Sequence, residues 1–283
     1  VFHNTGTMDV QSGTLVLSGG GTSTGSFTGT GTLEFGGGAH TLTSTSSITT
    51  SNVVFSMGTA DLAGTYNPTG SSTTVSGGTA HFTGTVTNVG ALNLSGGTLS
   101  FSSGDAISAP TLAISGGTLT GSDNITVSGS TTWTGGTMSG MGTTTTAGGL
   151  TLSGSADKTL TRPLINQGAA TWSGSGNILT GSGDFTNQAG ATFHIQNNLA
   201  YSGSGSFTNA GALAKSSSGT TTFSTSFDNS GSVVVSGGTL VLSGGGTHTG
   251  SFTAESGATL EFGGGTMELN TGASLTGAGA LLI

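Results

Sequence analysis

The chain has 283 residues, among them 56 glycines, three prolines and no cysteine, and its net charge of −8 comes from eleven acids against three bases, Lys158, Arg162 and Lys215. Three bases argue against a nucleic-acid partner, which is held through Lys/Arg neutralisation of phosphates, and against a basic patch for anionic lipid; no apolar stretch approaches the ~20 residues of a membrane-spanning helix. Helices are hard to place, because each interior glycine costs about 1 kcal/mol relative to alanine, while regularly spaced apolar residues and few prolines argue against disorder.

The chain opens with the pattern apolar-x-Asn-x-Gly at Phe2, Asn4 and Gly6. Short segments follow in which apolar and small polar residues alternate, such as Leu15-Val16-Leu17 and Leu33-Glu34-Phe35. Period-two alternation predicts strands with one buried face. The longest glycine-free run, Ala39 to Met57, is rich in Thr, Ser and Val and also favours strands. From Val75 a repeat becomes visible: Val75, Leu94, Ile114, Trp133, Leu152 and Trp172 are each followed by Ser or Thr and then Gly, at steps of 19 or 20 residues. Leu92-Asn93-Leu94, Leu99-Ser100-Phe101 and Leu112-Ala113-Ile114 alternate within it. Between these segments lie Ser-Gly-Gly, Gly-Gly-Gly or Asn-x-Gly groups, which suit sharp turns.

A fixed period of ~20 residues marks a solenoid. Like residues recur at the period, so each strand is expected to pair in parallel with its equivalent one coil later. Parallel crossovers are right-handed in nearly all cases. The expected fold is therefore all-β, a right-handed parallel β-helix with coils of about 19–22 residues, running as one continuous solenoid over residues 1–283. Such a solenoid grows its core with every coil and does not need disulfide staples.

The Asn-x-Gly pattern returns at Asn88, Asn166, Asn209 and Asn229, and at Asn187 with its glycine displaced to Gly190. Asn4, Asn88, Asn166, Asn187, Asn209 and Asn229 are expected to line a turn ladder, with side-chain amides hydrogen-bonding up the column. Residues 2–48 and 227–275 are copies of one unit. Nineteen of the 27 positions from Phe2 to Thr28 recur at Phe227 to Thr253, and Thr32–Gly38 recurs as Thr259–Gly265. The duplication, and a chain beginning at Val1 with no visible signal peptide, read as a mature product or a window on a longer array. The alternative is a partial duplication within a self-contained rod.

Candidate chemistry is thin. His3, His40, His81, His194 and His248 form no close metal pair and are expected at the surface, His248 standing where the other copy has Ser23. Glu34, Glu261 and Glu268 are the candidates for paired-carboxylate chemistry, but Glu34 and Glu261 lie between inward Leu and Phe and should face solvent. Asp9, Asp61, Asp105, Asp123, Asp157, Asp184 and Asp228 are dispersed. Asp157, Lys158 and Arg162 are expected to form an exposed charged loop before Pro163. The Gly19–Gly25 run lacks the lysine and helix of a phosphate loop. No cofactor, no metal site and no catalytic residue is expected. Thr143–Thr146 and Thr220–Thr222 raise the idea of a hydroxyl array that orders water or binds ice.

The phrases Gly238–Gly246 and Gly257–Gly265, with the Phe-x-Asn-x-Gly motif, resemble filamentous-haemagglutinin-like adhesins and autotransporter passenger domains, large bacterial surface proteins. The resemblance covers essentially the whole chain and carries no catalytic signature. It implies a right-handed β-helix outside the cell, serving as a non-catalytic stalk or fibre segment, with a side-wall adhesin for glycans or host proteins as the alternative. Expected partners are copies of itself or adjoining repeats, stacked end to end.

Overall fold

The computed structural model describes residues 1–70 and 72–283. Every regular element among them is a β-strand, and every strand pairing is parallel. The strands stack as a β-solenoid of about 14 turns in all, divided between two compact units, residues 1–129 with 136–143 and residues 130–135 with 144–283.

In the first unit three columns of strands can be followed. One runs Thr14–Leu17, Thr32–Phe35, Asn52–Phe55, Ser72–Val75, Ala91–Leu94 and Leu112–Ile114. The second includes Gly21–Ser23, Ala39–Leu42, Thr59–Leu62, Thr79–Phe82, Thr98–Phe101 and Thr118–Gly121. The third begins with Thr7–Asp9, Ser26–Thr28, Ser47–Ile48 and Thr65–Tyr66. In-register parallel stacking places like on like: Leu17, Phe35, Phe55, Val75, Leu94 and Ile114 form one buried file. Phe35 and Phe55 stack at 5.1 Å, and Phe82 and Phe101 at 4.8 Å. Polar residues enter these columns at Ser23, His40 and Thr73, all buried. Thr73, fully buried, shares its hydroxyl with the Tyr66 phenol at 2.7 Å and donates to the Val89 carbonyl at 2.6 Å. That satisfies both oxygens inside the core, and burial raises the Tyr66 pKa.

The second unit repeats the scheme. Ser130–Trp133, Gly149–Leu152, Ala169–Trp172, Thr192–Ile195, Ala212–Lys215, Ser232–Val235 and Ser251–Ala254 form one column. Lys158–Leu160, Ile178–Thr180, Ala200–Gly203, Thr220–Phe223, Thr239–Leu242 and Thr259–Phe262 form another. Thr144–Thr146, Leu164–Asn166, Phe185–Asn187, Phe207–Asn209 and Phe227–Asn229 lead the third. Phe185, Phe207 and Phe227 stack with nearly parallel rings, their centroids 4.9 and 5.3 Å apart.

Two details differ from the sequence expectation. Turn length varies more widely, from 18 residues between Thr14 and Thr32 to 23 between Ala169 and Thr192. The glycines of residues 36–38 do not end a strand. They lie inside an 11-residue strand, Thr32–Leu42, whose register against Asn52–Leu62 shifts on both sides of Gly36. The bulge bends one continuous strand from the first column into the second, with Gly38 at φ +72°. In the duplicate, Gly263–Gly265 separates two strands, Thr259–Phe262 and Met267–Leu269. The two copies otherwise pair alike: Thr14–Leu17 stacks on Thr32–Phe35 as Thr239–Leu242 stacks on Thr259–Phe262.

Candidate functional site

The most organised polar feature lies at the inner end of the third column of the second unit. Asn166, Asn187, Asn209 and Asn229 occupy the last inward position of four successive strands, in register and almost wholly shielded from solvent. The Nδ2 of each donates to the Oδ1 of the next, at 2.9, 2.8 and 2.9 Å. The same nitrogens donate to backbone carbonyls of the first-column strand one coil further on, at Thr192, Ala212, Ser232 and Ser251. An amide suits this place because it carries donors and an acceptor in one neutral planar group and can repeat without charge build-up. The file passes to Thr146 at one end and to His248 at the other.

Asn4 and Asn88 stand apart from that ladder. Asn4 donates to the Ser26 carbonyl at 2.9 Å and accepts from Gly6 N–H at 3.1 Å, and its backbone partner one turn on is Ser23. Asn88 donates to the Pro68 carbonyl and accepts from Gly90 N–H. Each accepts from its own bend and donates to a backbone carbonyl of the neighbouring turn, because no second asparagine occupies the stacked position.

The acidic side chains are also turned to structural use. Asp157 Oδ1 accepts from Asn177 N–H at 2.8 Å, Asp184 Oδ1 from Ser206 N–H at 2.9 Å and Asp228 Oδ1 from Thr247 N–H at 2.8 Å. Asn177, Asn198 and Asn124 do the same for Ala200, Gly219 and Thr143. Asp105 and Asp123 reach back instead: Asp105 accepts from Val86 N–H, and the buried Asp123 from the N–H groups of Ser103 and Gly104. All are Asx side chains close to strand starts, satisfying backbone donors of the adjacent turn. Sequence reasoning missed this role, although the signal is present: several follow Gly or Ser directly and precede a strand. Glu34 and Glu261 lie on the outer side between buried Leu and Phe, and Glu268 is exposed on a different strand from Glu261. No group of three or more His, Cys, Asp or Glu comes together among the described residues.

Histidines and cations require corrections. His3 is exposed, and His81 and His194 are half-exposed, His81 lying 3.5 Å from Asp61. His40 and His248 were expected at the surface but are buried. His40 Nε2 lies 2.9 Å from the Gly37 carbonyl and 3.1 Å from that of Leu17, and its ring meets Phe35 edge-on at 5.1 Å. The expected exposed cluster also fails. Asp157 is exposed, but Lys158 and Arg162 have no accessible surface, and neither has Lys215. Lys158 stacks on Ile178 and donates to the Ala156 carbonyl at 3.0 Å. Lys215 lies between Ile195 and Val235 and donates to Ser217 Oγ and the Ser217 carbonyl at 2.7 and 2.8 Å. Their stems fill the file while the ammonium groups reach turn carbonyls. Burial lowers both lysine pKa values, opposed at Lys158 by the charge of Asp157. Parity was the missed signal: Lys158 shares the phase of Leu160, Lys215 that of Leu213 and His40 that of Leu42.

In chemical terms this arrangement joins turns through neutral amides and Asx acceptors, while the buried lysines bond carbonyls of their own bends. Neither family models, nor curated proteins, nor solved structures offer a match to this chain.

Proposed function

We propose that the chain is a stiff, non-catalytic structural element, an extracellular stalk or fibre segment of a bacterial surface protein. The observation that carries this reading is the employment of its polar groups. Side chains that elsewhere bind ligands or move protons are here occupied with backbone donors and acceptors of neighbouring turns, as Asp157, Asp184, Asp228 and the asparagine ladder illustrate. Mechanical service rewards that use, since each turn is joined to the next by ladder bonds, side-chain bonds and a packed file. The phrases Gly238–Gly246 and Gly257–Gly265 add the resemblance to surface adhesins.

Trypsin tests it. Both cleavable side chains, Lys158 and Lys215, are buried (Arg162 precedes Pro163 and is not a trypsin site), so cutting requires local unfolding. Native material survives a digestion that consumes denatured chain; rapid cleavage of the native chain at Lys158 or Lys215 refutes the reading.

One observation favours a second role. Thr59, Thr79, Thr98, Thr118 and Thr137 stack in register along one side of the first unit, all half-exposed. At about 4.8 Å per step they present a regular file of hydroxyl and methyl groups suited to ordering water. An ice-recrystallisation assay on the chain and on Thr98→Asp decides it: inhibition lost in the variant supports ice binding, and no inhibition by either eliminates it.

A further inference from the structure

The duplication isolates one residue whose chemistry the structural role does not need. His248 stands where the other copy carries Ser23, yet it has no accessible surface. Its ring meets Phe252 edge-on at 5.1 Å and lies 6.0 Å from Phe262 and 6.5 Å from Phe227. Nε2 faces the Met267 sulfur at 3.4 Å, and buried Nδ1 has no hydrogen-bond partner. His248 is the last residue of Gly246–His248, the strand on which Met267–Leu269 pairs, and its carbonyl accepts from Asn270 N–H at 2.9 Å.

We propose that His248 is an acid-sensitive catch: protonation of its imidazole releases the pairing of Met267–Leu269 on Gly246–His248. An imidazolium has two N–H donors, and this enclosure offers them a thioether sulfur and aromatic rings. The acidic groups on the elements packed around it are Asp228, Glu255, Glu261 and Glu268. Asp228 is committed to Thr247 N–H, Glu255 and Glu268 are exposed, and Glu261 is half-exposed on the outer side of its strand. Opening the turn lets the ring take its proton in water. Burial holds the imidazole below the ordinary histidine value, against the opposing charge of Asp228. As pH falls below that ordinary value, the open form binds a proton the closed form refuses, so closure weakens until the depressed value is reached, where the loss levels off.

Hydrogen exchange of residues 267–270 at about pH 7.5 and about pH 5, corrected for intrinsic rates, tests this in a window where ordinary carboxylates stay ionised. Protection is lost on acidification, in the direction set by the closed form's weaker hold on the proton. His248→Ser, which installs the residue of the other copy, removes the pH dependence. Equal wild-type protection at both pH values, or the same loss in His248→Ser, overturns the proposal. Should the variant not fold, the wild-type imidazole titration by NMR decides: titration at or above the ordinary value overturns it, and a depressed titration coincident with lost protection supports it.

Discussion

Replacing Asn209 with alanine removes the middle of the amide ladder. The side chain donates to Asn229 Oδ1 at 2.9 Å and to the Ser232 carbonyl at 3.0 Å, and accepts from Asn187 Nδ2 at 2.8 Å. The two amide–amide bonds are shielded from water and the third is partly so, and the deletion leaves their partners short of an acceptor or donor. At about 1 kcal/mol net per bond, the loss is about 3 kcal/mol. Asn88→Ala is the control: a half-buried side chain with two bonds, to the Pro68 carbonyl and from Gly90 N–H, and no amide partner, for which about 1–2 kcal/mol is expected. Because neighbouring turns carry most of the coupling in a solenoid, the appropriate assay is native-state hydrogen exchange over residues 185–232 alongside urea unfolding. A double-mutant cycle with Asn187→Ala should return a coupling of about 1 kcal/mol or more, as expected for groups in one network. If Asn209→Ala costs no more than Asn88→Ala, or if the cycle shows no coupling, the ladder is only a row of independent turn braces.

Phe207→Ala, in the file between Phe185 and Phe227, should cost about 3–5 kcal/mol by urea unfolding through lost burial and a cavity. Gly203 has φ +125°, pairs with Thr180, and a Cβ there would collide with the Thr180 carbonyl oxygen. Gly257 has φ +83° and open space around it. Gly257→Ala should therefore cost about 1–2 kcal/mol, the conformational term alone, while Gly203→Ala loses protection across Ile178–Thr180 as well; equal costs would refute the steric argument. Burial lowers the Lys215 pKa from 10.5, so between that lowered value and 10.5 the unfolded chain holds a proton the folded chain has released. Stability should rise with pH through that window, and Lys215→Met should flatten the rise when thermal unfolding is followed against pH.

The sequence by itself determined the class of fold. Alternation has period two, and like residues recur about once per coil, so one arrangement alone brings Leu17, Phe35, Phe55 and Val75 to the same side and on top of one another. A one-residue slip would turn the whole file outward, which is why parallel coils were legible from spacing. The tertiary structure decided which polar groups meet. The recurring Asn-x-Gly motif already grouped six asparagines in one expected ladder, but turn length changes from 18 residues between Thr14 and Thr32 to 23 between Ala169 and Thr192, so which of the six stand above one another was left to the folded chain. Asn166, Asn187, Asn209 and Asn229 join because their strands carry them at one register position, while Asn4 faces Ser23. Lys158, Lys215, His40 and His248 went inside because a long polar side chain can fill an apolar file when a turn carbonyl or an aromatic ring waits at its tip. Those partners come from other turns or across a bend in the chain, and only the folded coil brings them within reach.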